Sequence, residues 1–108
     1  MSWKAGEVRE VRVADSEVRD EVVHDRAASR FILRRGGHEI GELTYRASDG
    51  RAALLHTEVR PDLRGKGLAR ALVVAAVQWA RAERLKLTPL CWYTRVVLER
   101  ADEFHDVL

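Results

Sequence analysis

The chain has 108 residues and a formal net charge of +2, a length that suits one hydrophobic core and excludes two. Hydrophobic residues make up 46% and charged residues 33%, which excludes a disordered polypeptide, and the small excess of 19 basic over 17 acidic residues does not indicate a nucleic-acid partner. The sequence lacks both a run of about 18 apolar residues and the apolar stretch of a secretory signal, so we expect a cytoplasmic protein without membrane contact.

The first 29 residues give weak structural signals. Glu7 to Val13 alternates only partly between apolar and charged residues, which suits an edge strand or an ordered tail. Between Ser16 and Ser29 the pattern favours a strand near Val22 followed by a turn, although a short helix also fits. We therefore treat residues 1–29 as an N-terminal extension of uncertain structure.

A three-stranded antiparallel meander is predicted for residues 30–59. Arg30–Arg35 is rich in strand formers and ends in Arg34-Arg35, which we interpret as a solvated strand end. Gly36-Gly37 directly after it is typical of a hairpin turn. The following strand, turn and strand are His38–Tyr45, Ser48-Asp49-Gly50 and Ala52–Val59.

After Leu63 the apolar period changes from that of a strand to that of a helix. Apolar residues recur so densely from Leu68 to Ala80 that this helix must be covered on most sides, as a helix lying against a sheet would be. Nothing in the sequence indicates a second domain, so residues 1–108 are expected to form one. The remaining predicted elements are a strand over Leu85–Cys91 with Pro89 at an edge or bulge, a helix over Trp92–Ala101 with Tyr93, Val96, Val97 and Arg100 on one face, and a short closing strand over Phe104–Leu108.

The segment Arg64-Gly65-Lys66-Gly67-Leu68-Ala69 lies between a strand and the long helix. A helix N-terminus presents unpaired backbone N–H groups and the positive end of the helix dipole, which suits an anionic oxygen. Gly65 and Gly67 leave these amides open to a phosphate, while Arg64, Lys66 and Arg70 add positive charge. The segment lacks the Ser or Thr of a nucleoside triphosphate loop and the three glycines of a dinucleotide fingerprint, so a different diphosphate compound is indicated.

Arg64, Gly67 and Ala69 occupy the fixed positions of the pattern Arg/Gln-x-x-Gly-x-Gly/Ala. With Leu55-His56-Thr57-Glu58-Val59 before it and Pro89-Leu90-Cys91 after the helix, the segment resembles the short family of GNAT-like N-acetyltransferase domains over residues 31–108. The resemblance implies a minimal GNAT fold of the α+β class with α/β/α-like layers. Such a fold has a mostly antiparallel twisted sheet, a central coenzyme-binding helix and a C-terminal helix.

The resemblance also implies acetyl-CoA as co-substrate and no metal. The loop amides would hold the coenzyme A pyrophosphate. The strand that carries Val59 would hydrogen-bond the pantetheine arm, the strands on either side of it would splay apart, and Cys91 would lie near the acetyl thioester. The cofactor-binding residues implied in this way are Val59, Arg64, Gly65, Lys66, Gly67, Leu68, Ala69 and Arg70.

Two departures from the family pattern concern the acceptor side. Trp92-Tyr93-Thr94 stands where the family typically has a Pro-Phe pair after the cysteine. The tight Gly36-Gly37 hairpin replaces the two helices that help full-length GNAT enzymes to hold the acceptor amine. The acceptor site is therefore expected to be more open or to be completed by a partner chain, and the protein to be a monomer or a homodimer.

Four residues are candidates for acetyl transfer, which needs a neutral amine, a polarised carbonyl and a protonated leaving thiolate. Glu58 and His56 are two residues apart on one strand, so they share a face, and either one could accept the amine proton through a water or simply face solvent. Cys91 could form an acetyl-enzyme or be buried filler. Tyr93 could protonate the departing thiolate or belong to the core.

Three classes of function remain open at this point. The first is an acetyl-CoA-dependent N-acetyltransferase that acts on a primary amine of a small molecule or protein. The second is a non-catalytic module that binds coenzyme A or acyl-CoA, and the third is an RNA-associated protein, which the 6% aromatic content disfavours. The histidines His24, His38 and His105 lack metal-ligand spacing, so no metal site is expected.

Overall fold

The computed structural model describes residues 7–12 and 19–108, and the strands in this part of the chain form one sheet in the order β1-β2-β3-β4-β5-β6. The strands are β1 Glu7–Arg12, β2 Arg19–Asp25, β3 Arg30–Arg35, β4 His38–Ser48, β5 Arg51–Val59 and β6 Lys86–Pro89. The helical elements are a 3-10 turn Pro61–Leu63, helix α1 Leu68–Glu83, helix α2 Trp92–Arg100 and a second 3-10 turn Asp102–Val107. The expected α+β class is confirmed.

The antiparallel meander runs from β1 to β5. Gly36 and Gly37 have φ angles of 56° and 82° in the turn between β3 and β4, and Asp49 and Gly50 have φ angles of 51° and 77° in the turn between β4 and β5. Two consecutive positive φ angles are typical of the tight turns that match strand twist. Both predicted hairpin turns are therefore confirmed.

The N-terminal residues extend the meander by two strands. Val22 is fully buried in β2, so the predicted strand near this residue is confirmed and the alternative of a short helix is wrong. β1 lies at one edge of the sheet, which confirms the predicted edge strand from Glu7 to Arg12. The rest of that prediction, at Val13, lies outside the described residues, as do residues 1–6 and 14–18.

Arg35 differs from the expectation of a solvated strand end. Its Nε and Nη2 atoms donate to the two carboxylate oxygens of Asp20 at 2.7 and 2.9 Å, and the Asp20 side chain is fully buried. A buried carboxylate requires a hydrogen-bonding counter-charge, and the planar guanidinium supplies two parallel hydrogen bonds. Arg34, by contrast, is exposed as predicted.

Helix α1 places its apolar stripe against the sheet. Leu72, Val73, Ala76 and Val77 are fully buried, and α1 packs on β3, β4 and β5. The helix ends at Arg84, whose φ of 57° allows the following N–H of Leu85 to bond the carbonyl of Ala80. The long helix predicted from its dense apolar spacing is thus confirmed, and its first residues line the same cavity as the last residues of β5.

β6 is the one parallel strand among the described strands and lies at the second edge of the sheet. It pairs with β5 only from Arg51 to Leu54, whereas β5 continues to Val59. The N–H groups of Leu90 and Cys91 both donate to the carbonyl of Leu54 at 3.0 Å, and there the chain turns away from the sheet. No strand in the described part of the chain pairs with the last residues of β5 on this side, and this is the separation of strands that the family resemblance implies.

Two predictions for the C-terminal residues need correction. In α2 the buried positions are Thr94 and Leu98, while Arg100, which was predicted on the apolar face, is exposed. The tail was predicted as a short strand, but residues 102–107 form a 3-10 turn. Phe104 and Val107 are three residues apart, so this turn directs both side chains into the core.

Candidate active site

A cavity of about 520 Å³ opens between the end of β5, the start of α1 and the start of α2. Its walls come from three separate stretches of chain that the fold brings together. The lining residues are His56, Thr57, Glu58 and Val59 from β5, Leu63, Arg64, Gly65, Gly67, Leu68 and Ala69 from the loop and helix start, and Trp92 and Tyr93 from α2.

The β5 wall of the cavity is an open strand edge. The N–H of Arg60 donates to the carbonyl of Ile40 at 2.8 Å, so this peptide group points toward β4. Peptide groups alternate in direction along an antiparallel strand, so those of Thr57 and Val59 point away from β4 and toward the cavity. The Val59 carbonyl accepts a hydrogen bond from Nε of Arg64 at 3.2 Å. An extended amide-bearing chain could pair with this edge.

The loop before α1 leaves its amides available. Among the described residues, none accepts a hydrogen bond from the backbone N–H groups of residues 65–70, and Gly67, the N-cap of α1, has no side-chain cap. Gly65 and Gly67 have φ angles of 81° and 79°, which non-glycine residues rarely adopt. A Cβ atom added at either glycine would meet no protein atom within 4 Å, so the space beside these two residues is not filled by other parts of the protein. This arrangement is suited to an anion.

The three basic residues of the loop, which were predicted to act together, differ in where their side chains lie. Arg64 lines the cavity and Lys66 is exposed beside it. Arg70 instead turns away, because its Nη2 donates to Glu103 at 3.3 Å and its guanidinium lies 5.3 Å from the centre of the Phe104 ring. Of the predicted cofactor-binding residues, Lys66 and Arg70 are therefore not in the cavity lining, while Val59, Arg64, Gly65, Gly67, Leu68 and Ala69 are.

Cys91 is the N-cap residue of α2 and is half-buried, and it is not itself in the cavity lining, although its neighbours Trp92 and Tyr93 are. Its Sγ lies 3.8 Å from Oγ1 of Thr57. Burial raises the pKa of the thiol, but the N–H groups of Thr94, Tyr93 and Thr57 and the Thr57 hydroxyl outweigh burial, so the pKa lies below its usual value. The site therefore favours a thiolate at lower pH than a free cysteine would.

His56 and Glu58 are brought together as predicted. Nε2 of His56 lies 3.4 Å from Oε2 of Glu58, and both side chains are more than half exposed at the rim of the cavity. Tyr93 lines the cavity, and burial raises the pKa of its phenol despite the nearby charge of Arg70. Among the described contacts, none joins the His56–Glu58 pair to Cys91, which lies on the Thr57 side of the strand.

Three lining residues were not among the predicted site residues, namely Thr57, Leu63 and Trp92. Trp92 is 74% exposed and follows the cysteine directly, so it forms an apolar wall open to solvent. Thr57 lies between His56 and Glu58 in β5, so its side chain is on the opposite face of the strand. Nothing in the sequence singled out this face as part of a site. The role of Thr57 becomes visible only because β6 ends at the level of Leu54 and leaves room for Cys91 beside it.

The first turn of α2 is closed by a buried threonine. Oγ1 of Thr94, which is fully buried, donates to the carbonyl of Cys91 at 2.9 Å. We expect Thr94→Val to lower the free energy of unfolding by about 0.5–1.5 kcal/mol, because this hydrogen bond is lost without a change in side-chain shape. Urea unfolding measures the effect relative to the parent protein, and Thr94→Ser, which keeps the hydroxyl but loses a buried methyl group, measures the contribution of that methyl group separately. Equal stabilities of the valine variant and the parent protein would contradict this reading.

Within the described residues no three His, Cys, Asp or Glu side chains are grouped so as to hold a metal ion. A search of the same residues finds no helix with the length and apolar character needed to cross a membrane.

The sequence is similar to those of known proteins. The family model described as GCN5-related N-acetyl-transferase matches residues 30–107. Protein NATD1 of Gallus gallus is 39% identical over 75 residues, which cover 68% of this chain and 68% of that protein.

Two solved structures share the fold. The solution structure of a GCN5-like protein from Staphylococcus aureus has a TM-score of 0.62 at 24% identity and covers 96% of this chain and 88% of that one. A ribosomal-protein-alanine N-acetyltransferase from Brucella melitensis has a TM-score of 0.58 at 25% identity, with 74% of this chain and 69% of that one covered.

Proposed function

The chain belongs to the GCN5-related N-acetyltransferase family, and on this premise we propose that it is an acetyl-CoA-dependent N-acetyltransferase acting on a primary amine of a small molecule or protein. Residues 1–108 act as one catalytic domain. The observation that carries the proposal is the cavity itself, in which unpaired loop amides and an open strand edge meet next to a cysteine with a lowered thiol pKa.

The coenzyme is bound at two places in this cavity. The amides of residues 65–70 and the positive end of the α1 dipole hold the pyrophosphate, with Arg64 and Lys66 adding charge beside it. The peptide groups of Thr57 and Val59 pair with the amides of the pantetheine arm along the open edge of β5. Two anchors of this kind would direct the thioester toward the start of α2.

Cys91 is the nucleophile of the transfer. Its thiolate attacks the carbonyl carbon of the thioester, so that a bond forms between Sγ and this carbon while the bond from the carbon to the coenzyme sulfur breaks. Tyr93 protonates the leaving sulfur, since its phenol lines the cavity and carries its proton at neutral pH. Solvent then returns a proton to Tyr93.

The acceptor amine enters from the solvent-exposed rim. Glu58 or His56 takes its proton through a water, and the neutral amine attacks the acetyl group on Cys91, which leaves as a thiolate. The exposure of this pair and of Trp92 agrees with an open acceptor side, to which a second copy of the chain could contribute in a homodimer. The same openness favours the alternative of a module that binds coenzyme A or acyl-CoA without turnover.

Titration calorimetry with acetyl-CoA and with coenzyme A tests the proposal, and we expect both compounds to bind. Incubation with labelled acetyl-CoA and a panel of primary amines then distinguishes enzyme from binding module. Labelled amide product supports the transferase, binding without product supports the module, and absence of binding rules out both functions.

A further inference from the structure

Thr57 connects the cavity to Cys91. It lines the cavity, is half-buried, and its Oγ1 is 3.8 Å from Sγ of Cys91. Its sequence neighbours His56 and Glu58 contact each other on the opposite face of β5 and make no described contact with the sulfur. The strand therefore separates two kinds of polar group, one facing the acceptor rim and one facing the thiol.

We propose that Thr57 is the positioning residue for Cys91, holding its sulfur as a thiolate against the open edge of β5. The contact that carries this role is the one between the Thr57 hydroxyl and the sulfur. The role of this thiolate in acetyl transfer rests on the function proposed above. The stabilisation of the thiolate by Thr57 does not rest on that function, because it is a property of the protein without coenzyme.

The strand makes Thr57 a rigid support. Thr57 pairs with Leu43 of β4, and Leu43 is fully buried, so the backbone under the hydroxyl is fixed by both the sheet and the core. The sulfur, in contrast, belongs to a residue that closely follows an edge strand and caps a helix of nine residues. A donor on a central strand can therefore hold the sulfur in place from across the gap that β6 leaves.

A threonine hydroxyl also suits every state of the thiol. It donates to a thiolate and accepts from a protonated thiol, because a hydroxyl is both donor and acceptor. Valine has nearly the same shape and the same preference for strands but offers neither interaction. Replacement by valine thus removes the hydroxyl while leaving the backbone N–H in place.

The test is the pH profile of alkylation of Cys91 by iodoacetamide in coenzyme-free protein, which is unambiguous because the chain has 1 cysteine. For Thr57→Val we expect the midpoint of the profile to rise and alkylation at neutral pH to slow by about threefold to tenfold, the range for one lost hydrogen bond. Thr57→Ser should restore the parent profile. Thr44→Val, a half-buried threonine on the neighbouring strand, should leave it unchanged.

An unchanged profile in a folded Thr57→Val variant overturns the inference. Urea unfolding checks that the variant is folded, and if it is not, Thr57→Ala compared with Thr57→Ser gives the same contrast. Retention of acetyl label on Cys91 is a second readout and should fall in Thr57→Val. Failure of the parent protein to bind acetyl-CoA would instead refute the proposed function and would leave the alkylation result standing.

Discussion

Replacing Gly67 by valine is expected to weaken acetyl-CoA binding at least about tenfold, or 1.4 kcal/mol, as measured by titration calorimetry. Gly67 has a φ of 79°, and an added Cβ would project into space that holds no protein atom within 4 Å. A branched side chain there would occupy the position that we assign to the pyrophosphate and would strain the loop that presents the amides. Packing does not require a glycine at this position, whereas the backbone angle does, and so would the proposed pyrophosphate.

Gly50→Val is a matched control for this substitution. Gly50 has a φ of 77°, an added Cβ would likewise meet no protein atom within 4 Å, and the residue lies in the hairpin between β4 and β5, outside the cavity lining. Both variants carry the same backbone strain, which costs about 1–2 kcal/mol of stability. Only Gly67→Val should lose affinity. Equal affinities of the two folded variants would show that the loop does not bind the coenzyme.

Cys91→Ala is expected to reduce acetyl transfer at least about 100-fold, because the nucleophile is removed and the acetyl-enzyme cannot form. Affinity for acetyl-CoA should stay close to that of the parent protein, since the proposed binding groups are backbone amides of residues 65–70 and of β5. An unchanged Kd together with a lowered kcat indicates that the substitution affects the chemical step and not coenzyme binding. Steady-state rates and calorimetry on the same preparation supply both values.

The pH dependence and a second variant sharpen this test. The pKa of the Cys91 thiol is lowered in the folded protein, so the thiolate is present at pH values where an ordinary thiol is still protonated. The acylation rate should therefore rise with pH and level off below the usual titration range of cysteine. Cys91→Ser should remain impaired because its hydroxyl does not ionise in this range. Undiminished turnover of Cys91→Ala would indicate direct transfer, with Glu58 or His56 as the base.

Much of the fold is readable in the local sequence. Three local patterns each predict a backbone geometry, and all three predictions are confirmed. They are the alternation of strands in residues 30–59, the paired glycines of the first hairpin, and the dense apolar spacing of the helix after Leu68. The tail at Phe104 to Leu108 was predicted wrongly as a strand, whereas residues 102–107 form a 3-10 turn. A segment of five residues is too short for the spacing of its apolar residues to distinguish a turn from a strand.

Local sequence patterns predict only part of the candidate site. By itself the sequence determined the glycine loop at the start of α1, since that signal depends on residues adjacent in the chain. Only the tertiary structure decided that Thr57 faces Cys91, that Arg70 turns toward Glu103, and that Arg35 pairs with buried Asp20. Each of these contacts joins residues at least 15 positions apart, so it depends on where strands end and how they pair. The physical reason is that these side-chain partners depend on how strands, helices and turns pack against one another, and no local sequence period encodes that packing.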